Sequence, residues 1–416
     1  MKNKVAAIIG LMALFCLKIQ AQKSLDFDVT NFKMQTQEFQ GKTIKVRAYE
    51  KILYVANPTD TTKQILNVYV PEEYFNGGII NGYSAQTAPI FFPNKVGGYM
   101  PAQPATFINT PQGGGPGGPP SNAVVMALSK GYVVASAGAR GRVSAAGKAP
   151  AGIVDLKAAV RYLKFNDKLM AGDANKIISN GTSAGGAMST LLGATGNHAD
   201  YEPFLKTIGA ANASDDIFAV SAYCPIINLE NADMAYEWQL NKLHGFNFRG
   251  KKGELDAEAL KVSEDLKNAF PKYLNALNLK NSNGKRLKLE ANGEGNFKEL
   301  VKSYIVASAQ KALDLGVDLS KYNFLKIENK KVLSVDFDAY MIYLERMKTP
   351  PAFDALDNKS FENNLFGTTT ISNRHFTTYA SQNSKDASST MADPQSITTM
   401  NPMSYIGDKK AKTSQN

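Results

Sequence analysis

Hydrophobic and polar positions change their rhythm along the chain. Residues 42 to 57, "KTIKVRAYEKILYVAN", and 64 to 71, "QILNVYVP", are short runs rich in β-branched and aromatic residues with an Asn-Pro between them, the pattern of early strands. "APIFFPNKVGGYMP" predicts a buried strand running into a glycine-containing loop. From Ser121 the rhythm alternates. "SNAVVMALSKG" reads as a capped helix with a glycine stop, and "YVVASAGARG" as an apolar strand. "GIVDLKAAVRYLKFN" carries apolar residues at 153, 156, 160 and 163, one face of a helix. "NKIISNG", "AGGAMSTLLGATG" and "DDIFAVSAYCP" follow as strand, helix and strand. Strands alternating with helices predict an α/β fold with a mostly parallel sheet covered on both faces. After Asn228 the chain turns Lys- and Leu-rich at helical spacing, as in "LDAEALKVSEDLKNAFPKYLNAL" and "NFKELVKSYIVASAQKALDLG". This predicts a mainly helical insertion over 229–380, placed as a cap (lid) over a core of 22–228, with 381–416 returning towards the core.

A length of 416 residues allows a full core with an insertion, and 44% hydrophobic with 20% charged residues suits a globular protein. The net charge of +10 adds little, because the lysines are spread along the chain and mixed with Asp and Glu. No Arg-rich cluster interleaved with aromatics points to nucleic acid. The N-terminus changes the picture more. Basic "MKNK", apolar "VAAIIGLMALFCL" and polar "KIQAQ" have the layout of a secretory signal peptide, residues 1–21, with cleavage after Ala21. The apolar run is short for a membrane span, so export to the periplasm or beyond is expected, without stable membrane insertion. Cys224, in the apolar run "FAVSAYCP", is expected to be a buried structural thiol. "TPQGGGPGGPPSN", residues 110 to 122, lacks side chains with which to build a core and is expected to be an exposed loop.

The chemistry centres on "SNGTSAGGAM", residues 179 to 188. Gly181, Ser183 and Gly185 form Gly-x-Ser-x-Gly between a strand and a helix. Such a nucleophile elbow forces strained angles on the serine, so the residues two before and two after it must be small. The N–H of Ala184, at the helix start, would donate to an oxyanion, and a second donor would come from Gly97 or Gly98 after an earlier strand. A neutral serine also needs an imidazole and a carboxylate. The chain holds three histidines, His198, His244 and His375, each read from the sequence as structural or surface; His375, the only late one, is the fallback base.

"GTSAGGAMSTLLGATGNHADYEPFL", "SAYCPIINLENADMAYEW", "RMKTPPAFDALDNKSFENNLFG" and "NPMSYI" together resemble the bacterial tannases, tannin acyl hydrolases of the α/β-hydrolase superfamily. The resemblance runs from "NGYSAQTAPIFFPNKVGGYMP" to the last residues. It implies a serine esterase for galloyl esters of hydrolysable tannins, with Ser183 as nucleophile and Ala184 and Gly97 as oxyanion donors. It also implies Lys348, in "RMKTPP", and Glu362, in "FENNLFG", as the residues that hold the ring hydroxyls. A carboxylate accepts from phenolic O–H groups and an ammonium donates to their oxygens. Read by themselves, both are solvated surface charges. No metal or cofactor is expected, and the partner is a small aromatic ester.

The sequence departs from the family pattern after "NPMSYI", where the segments bearing the catalytic aspartate and histidine would follow. His375 matches a family histidine outside the triad. The expectation is an incomplete chain, missing the C-terminal part of the core and inactive as written. Two alternatives stand beside it: an esterase for other hydroxybenzoate or hydroxycinnamate (feruloyl) esters, and a catalytically dead hydrolase fold used for binding.

Overall fold

The computed structural model describes residues 24–108, 122–248 and 250–406. The signal-like segment and most of the Gly/Pro-rich stretch lie outside the described residues. The chain forms two compact units. The first takes the residues through Ile227, the short segment Thr368–Thr370 and those from Pro394 onward; the second takes Asn228–Gly367 and Ile371–Asp393.

The first unit is built on a seven-stranded sheet in the order β1-β2-β3-β5-β4-β6-β7. Its strands are β1 (Lys33–Phe39), β2 (Lys42–Leu53), β3 (Ile65–Pro71), β4 (Pro89–Pro93), β5 (Val133–Ala137), β6 (Asp173–Thr182) and β7 (Ala219–Tyr223). The sheet is mixed, where the sequence predicts a mostly parallel one. The pairs β1–β2, β2–β3 and β3–β5 are antiparallel, and β5–β4, β4–β6 and β6–β7 are parallel. The cause is local. β1 and β2 are joined only by Gln40 and Gly41, both at positive φ (50° and 74°), a two-residue turn that forces a hairpin. The β4–β5 and β6–β7 connections are long enough to hold helices, as parallel neighbours require.

Those linkers carry α1 (Ala123–Ser129), α2 (Ala151–Phe165), α3 (Ala184–Ala194) and α4 (Glu202–Thr207). α1 buries Val124, Val125 and Leu128 against Val46, Tyr69 and Val134 of the sheet. α2 is buried along almost its whole length, and its charges are all paired. Asp155 meets Arg140 at 2.7 Å, and Lys157 and Arg161 both meet Asp215 at 2.7 Å. Buried charges without partners would cost several kcal/mol each.

β7 is the last strand of the sheet among the described residues, which corrects the reading of Cys224. The thiol is free and exposed, not buried, because the chain leaves the sheet edge there at φ 37°. Phe218 and Tyr223 are exposed for the same reason.

The second unit holds α5 (Leu229–Leu240), β8 (Gly245–Phe248), β9 (Lys251–Glu254), α6 (Ala257–Ala276) and α7 (Asn296–Asp314). It continues with β10 (Leu325–Glu328), β11 (Lys331–Val335), α8 (Phe337–Leu344), α9 (Phe361–Leu365) and α10 (Thr378–Gln382). It is mainly helical, as its spacing predicts, with two small antiparallel hairpins that the spacing does not reveal. The turn between β10 and β11 is Asn329-Lys330, both at positive φ, a short hairpin signal without glycine. Trp238 centres the packing, its ring 5.2, 5.8 and 5.9 Å from those of Phe270, Phe297 and Phe337. α11 (Pro394–Met400) belongs to the first unit. The chain therefore re-enters that unit at Pro394 and not at 381, since residues 371–393 are bonded into the second unit through His375 and Ser384.

Candidate active site

β6 turns into α3 through Ser183 alone. Its backbone sits at φ 58°, ψ −121°, a conformation that costs a non-glycine residue about 1–3 kcal/mol. Its N–H donates to the carbonyl of Tyr223 at 3.0 Å, which ties the strained turn to the end of β7. The residue is exposed, and no described residue hydrogen-bonds its hydroxyl. Ala184, the first residue of α3, is buried, and its N–H has no acceptor four residues back inside the helix.

The spacing Gly-x-Ser-x-Gly has its cause in distances. A Cβ on Gly181 would lie 2.2 Å from the Gly185 carbonyl oxygen, and one on Gly185 would lie 2.6 Å from Asn94 Oδ1 and 2.7 Å from the Val96 carbonyl oxygen. A Cβ on Gly186 would lie 2.7 Å from the Tyr223 carbonyl oxygen. Strand, helix and the loop after β4 meet at backbone contact.

That loop holds Gly97, whose α-carbon faces open space. Its anchor is Asn94, which sequence reasoning missed. The buried Asn94 amide donates to the carbonyls of Asn180 and Gly185 and to Ser189 Oγ, each at 3.0 Å, and its oxygen accepts the Val96 N–H at 3.2 Å. A lone Asn in "FFPNKVGG" carries no periodic signal. Ser183, Ala184 and Gly97 thus all belong to the first unit, with Gly97 beside Val96 in the loop that packs on the first turn of α3.

Lys348 and Glu362 belong to the second unit and lie together, Nζ to carboxylate 4.0 Å. Glu362 is not a solvated charge: its side chain is 5% exposed. The Lys348 ammonium donates to the Ala352 carbonyl at 2.9 Å and stands 4.5 Å over the Phe353 ring. Asp233 of α5 accepts the N–H groups of Phe353 (2.7 Å) and Asp354 (3.0 Å), in the segment that follows Lys348. Burial pushes the Asp233 carboxyl up to about 7, against the pull of those two N–H groups and of Lys348. A carboxyl raised in this way holds a proton that the unfolded chain has released. Stability is therefore expected to fall as pH rises from about 4 to about 7, by up to about 1.4 kcal/mol per pH unit, and to level off above. Urea denaturation across that range checks it: Asp233→Asn should remove this slope, and an unchanged slope would show that the group titrates normally.

None of the three histidines bonds Ser183. His198 accepts the Asp200 N–H at 3.3 Å and packs edge-on to Tyr405; His244 is exposed in the second unit. His375 is fully buried there, with Nδ1 on Asp354 (2.7 Å) and Nε2 on Ser384 Oγ (2.9 Å). Asp354 also accepts the N–H groups of Phe376 (2.9 Å) and Thr377 (2.6 Å), the Thr377 hydroxyl (2.8 Å) and the Asn363 amide (2.6 Å). The fallback reading of His375 as base for Ser183 is corrected: both its nitrogens are occupied in a network that knits the second unit.

Comparison with known proteins gives concordant findings. A family model described as BD-FAE matches residues 118–266. A tannin acyl hydrolase solved in complex with 3,4-dihydroxybenzoate is 44% identical, with a TM-score of 0.88, over 92% of this chain and 84% of that one. The tannase of Fusobacterium nucleatum is 48% identical, with a TM-score of 0.86, over 92% of this chain and 85% of that one. The tannase of Lactobacillus plantarum, in an orthorhombic crystal, is 42% identical, with a TM-score of 0.88, over 93% of this chain and 86% of that one. Among curated proteins none matches significantly.

Proposed function

Since the chain belongs to the bacterial tannase (tannin acyl hydrolase) family, we propose that it is built to cleave galloyl esters through an acyl intermediate on Ser183. The Ser183 oxygen attacks the ester carbonyl, and the C–O bond to the alcohol breaks as the alcohol leaves with a proton. Water then cleaves the acyl-serine bond and releases gallic acid. The N–H of Ala184 and the backbone of Gly97 receive the charge that develops on the carbonyl oxygen. Lys348 and Glu362 take the ring hydroxyls. Related enzymes solved with 3,4-dihydroxybenzoate and with ethyl gallate support this ligand class. The signal-like N-terminus supports export.

The observation that carries the reading is the strained, exposed Ser183 with a free helix-start amide beside it. No described imidazole bonds the Ser183 hydroxyl. The test is therefore read from binding and from acylation. Mass spectrometry after incubation with an activated ester should place a single acyl group on the peptide holding Ser183. Gallate should bind more tightly than ferulate, and Lys348→Ala or Glu362→Ala should weaken gallate about 10- to 100-fold. Acyl transfer elsewhere would refute the nucleophile. A preference for ferulate would favour the hydroxycinnamoyl esterase, and tight gallate binding with no acylation at all would favour the binding protein.

A further inference from the structure

α5 carries Asp233, Tyr236 and Glu237 at positions i, i+3 and i+4, so the three share one side of the helix. All three grip the same segment, residues 346–354. Asp233 accepts the N–H groups of Phe353 and Asp354 at 2.7 and 3.0 Å. The Tyr236 hydroxyl oxygen accepts those of Met347 and Lys348 at 3.0 and 3.1 Å. Glu237 takes the guanidinium of Arg346 at 2.6 Å. The Tyr236 ring also meets that of Phe353 edge-on, centroids 6.2 Å apart.

Lys348 lies between these anchors. Its stem ends on the Ala352 carbonyl and over Phe353, at 4.0 Å from Glu362. A free lysine side chain carries about 2 kcal/mol of rotamer entropy, which binding must overcome unless the fold has already fixed it. Four backbone N–H groups at the two ends of one short segment all find their acceptors on α5.

We infer that Asp233 and Tyr236 are positioning residues for phenol recognition, fixing the segment that holds the Lys348 ammonium beside the Glu362 carboxylate. The inference rests on the proposed role of Lys348 and Glu362 in ring binding. Neither Asp233 nor Tyr236 touches the ligand in this account; each acts through the 347–354 backbone.

Calorimetric titration of the chain with 3,4-dihydroxybenzoate and with benzoate tests it, alongside amide exchange and melting. Tyr236→Phe keeps the ring and removes the acceptor; Asp233→Asn keeps one of its two acceptors. Each variant is expected to weaken 3,4-dihydroxybenzoate about 5- to 20-fold while leaving benzoate unchanged. Exchange should quicken at 347–348 in Tyr236→Phe and at 353–354 in Asp233→Asn, with the rest of the second unit unaltered. Loss of affinity for both acids alike, together with a lower Tm, would mean a merely structural role and overturn the inference. So would discrimination retained in both variants. A wild-type chain that binds the two acids equally would refute the ring-binding role itself, and the inference with it.

Discussion

Gly181→Ala is expected to destabilise the first unit by about 3 kcal/mol or more and to abolish acylation of Ser183. The added Cβ would lie 2.2 Å from the Gly185 carbonyl oxygen, 2.4 Å from its carbon and 2.6 Å from the Asn94 amide nitrogen. Two of those atoms are backbone, so no rotamer change relieves the contact. Gly181 is itself fixed by its pairing with Ala222 in β7, so strand and helix must part. Parting them displaces Ser183 and the Ala184 amide together from the Gly97 loop and breaks the Asn94 bonds that hold that loop. At this unit size about 3 kcal/mol corresponds to a fall of roughly 6–12 °C in Tm. A variant that melts like the wild type and still takes an acyl group at Ser183 would show that the elbow is not sterically closed. A single methyl group in a surface turn normally changes stability by less than about 0.5 kcal/mol, so the outcome is decisive.

The elbow was legible because its constraint is local: five residues in a row must satisfy one steric problem, and glycine solves it at fixed offsets. The strands and helices around it were legible for a similar reason, since their apolar residues recur at the period of the element that buries them. The sheet's half-antiparallel character was less so, because "KTIKVRAYEKILYVAN" reads as β without saying which neighbour it pairs with. Cys224 misled because an apolar run does not reveal that its strand ends a sheet. Asn94 and the α5 anchors were illegible for a different reason. Asp233, Tyr236 and Glu237 sit three and four apart, a spacing at which polar residues ordinarily mark a helix's solvent face. Their partners lie more than a hundred residues downstream, in backbone N–H groups and one arginine, which no pattern in "ADMAYEWQ" encodes. Lys348 and Glu362 were named only through family resemblance, and what the fold adds is that Glu362 is buried beside the lysine.

Arg346→Met is expected to destabilise the second unit by about 3–5 kcal/mol, and Glu237→Leu in the same chain should not restore it. Arg346 is among the largest fully buried side chains, and the Glu237 side chain is also wholly covered. A guanidinium has five N–H donors, and here each finds an acceptor. Nε donates to the Leu243 carbonyl at 2.8 Å. One terminal nitrogen donates to Glu237 (2.8 Å) and the Lys348 carbonyl (3.3 Å), the other to Glu237 (2.6 Å) and the Leu240 carbonyl (2.9 Å). Some buried ion pairs can be exchanged for apolar residues at no net loss, because removing both charges removes both desolvation costs. That compensation fails here. Besides the carboxylate, the arginine satisfies three backbone carbonyls; that of Leu240 keeps the Leu243 N–H at 2.8 Å, but those of Leu243 and Lys348 are left without a donor, and each orphaned acceptor costs about 1–3 kcal/mol. In the double variant the Ser263 hydroxyl would also lose Glu237 as its acceptor and keep only the Asn241 amide, which donates to it at 2.9 Å. Arg346→Lys is not conservative on the same count, since an ammonium offers three donors where five are used. Urea unfolding of the two single variants and the double variant separates the cases. A double variant as stable as the wild type would mean that the Leu243 and Lys348 carbonyls find water or relax, and that the ion pair alone accounts for the loss.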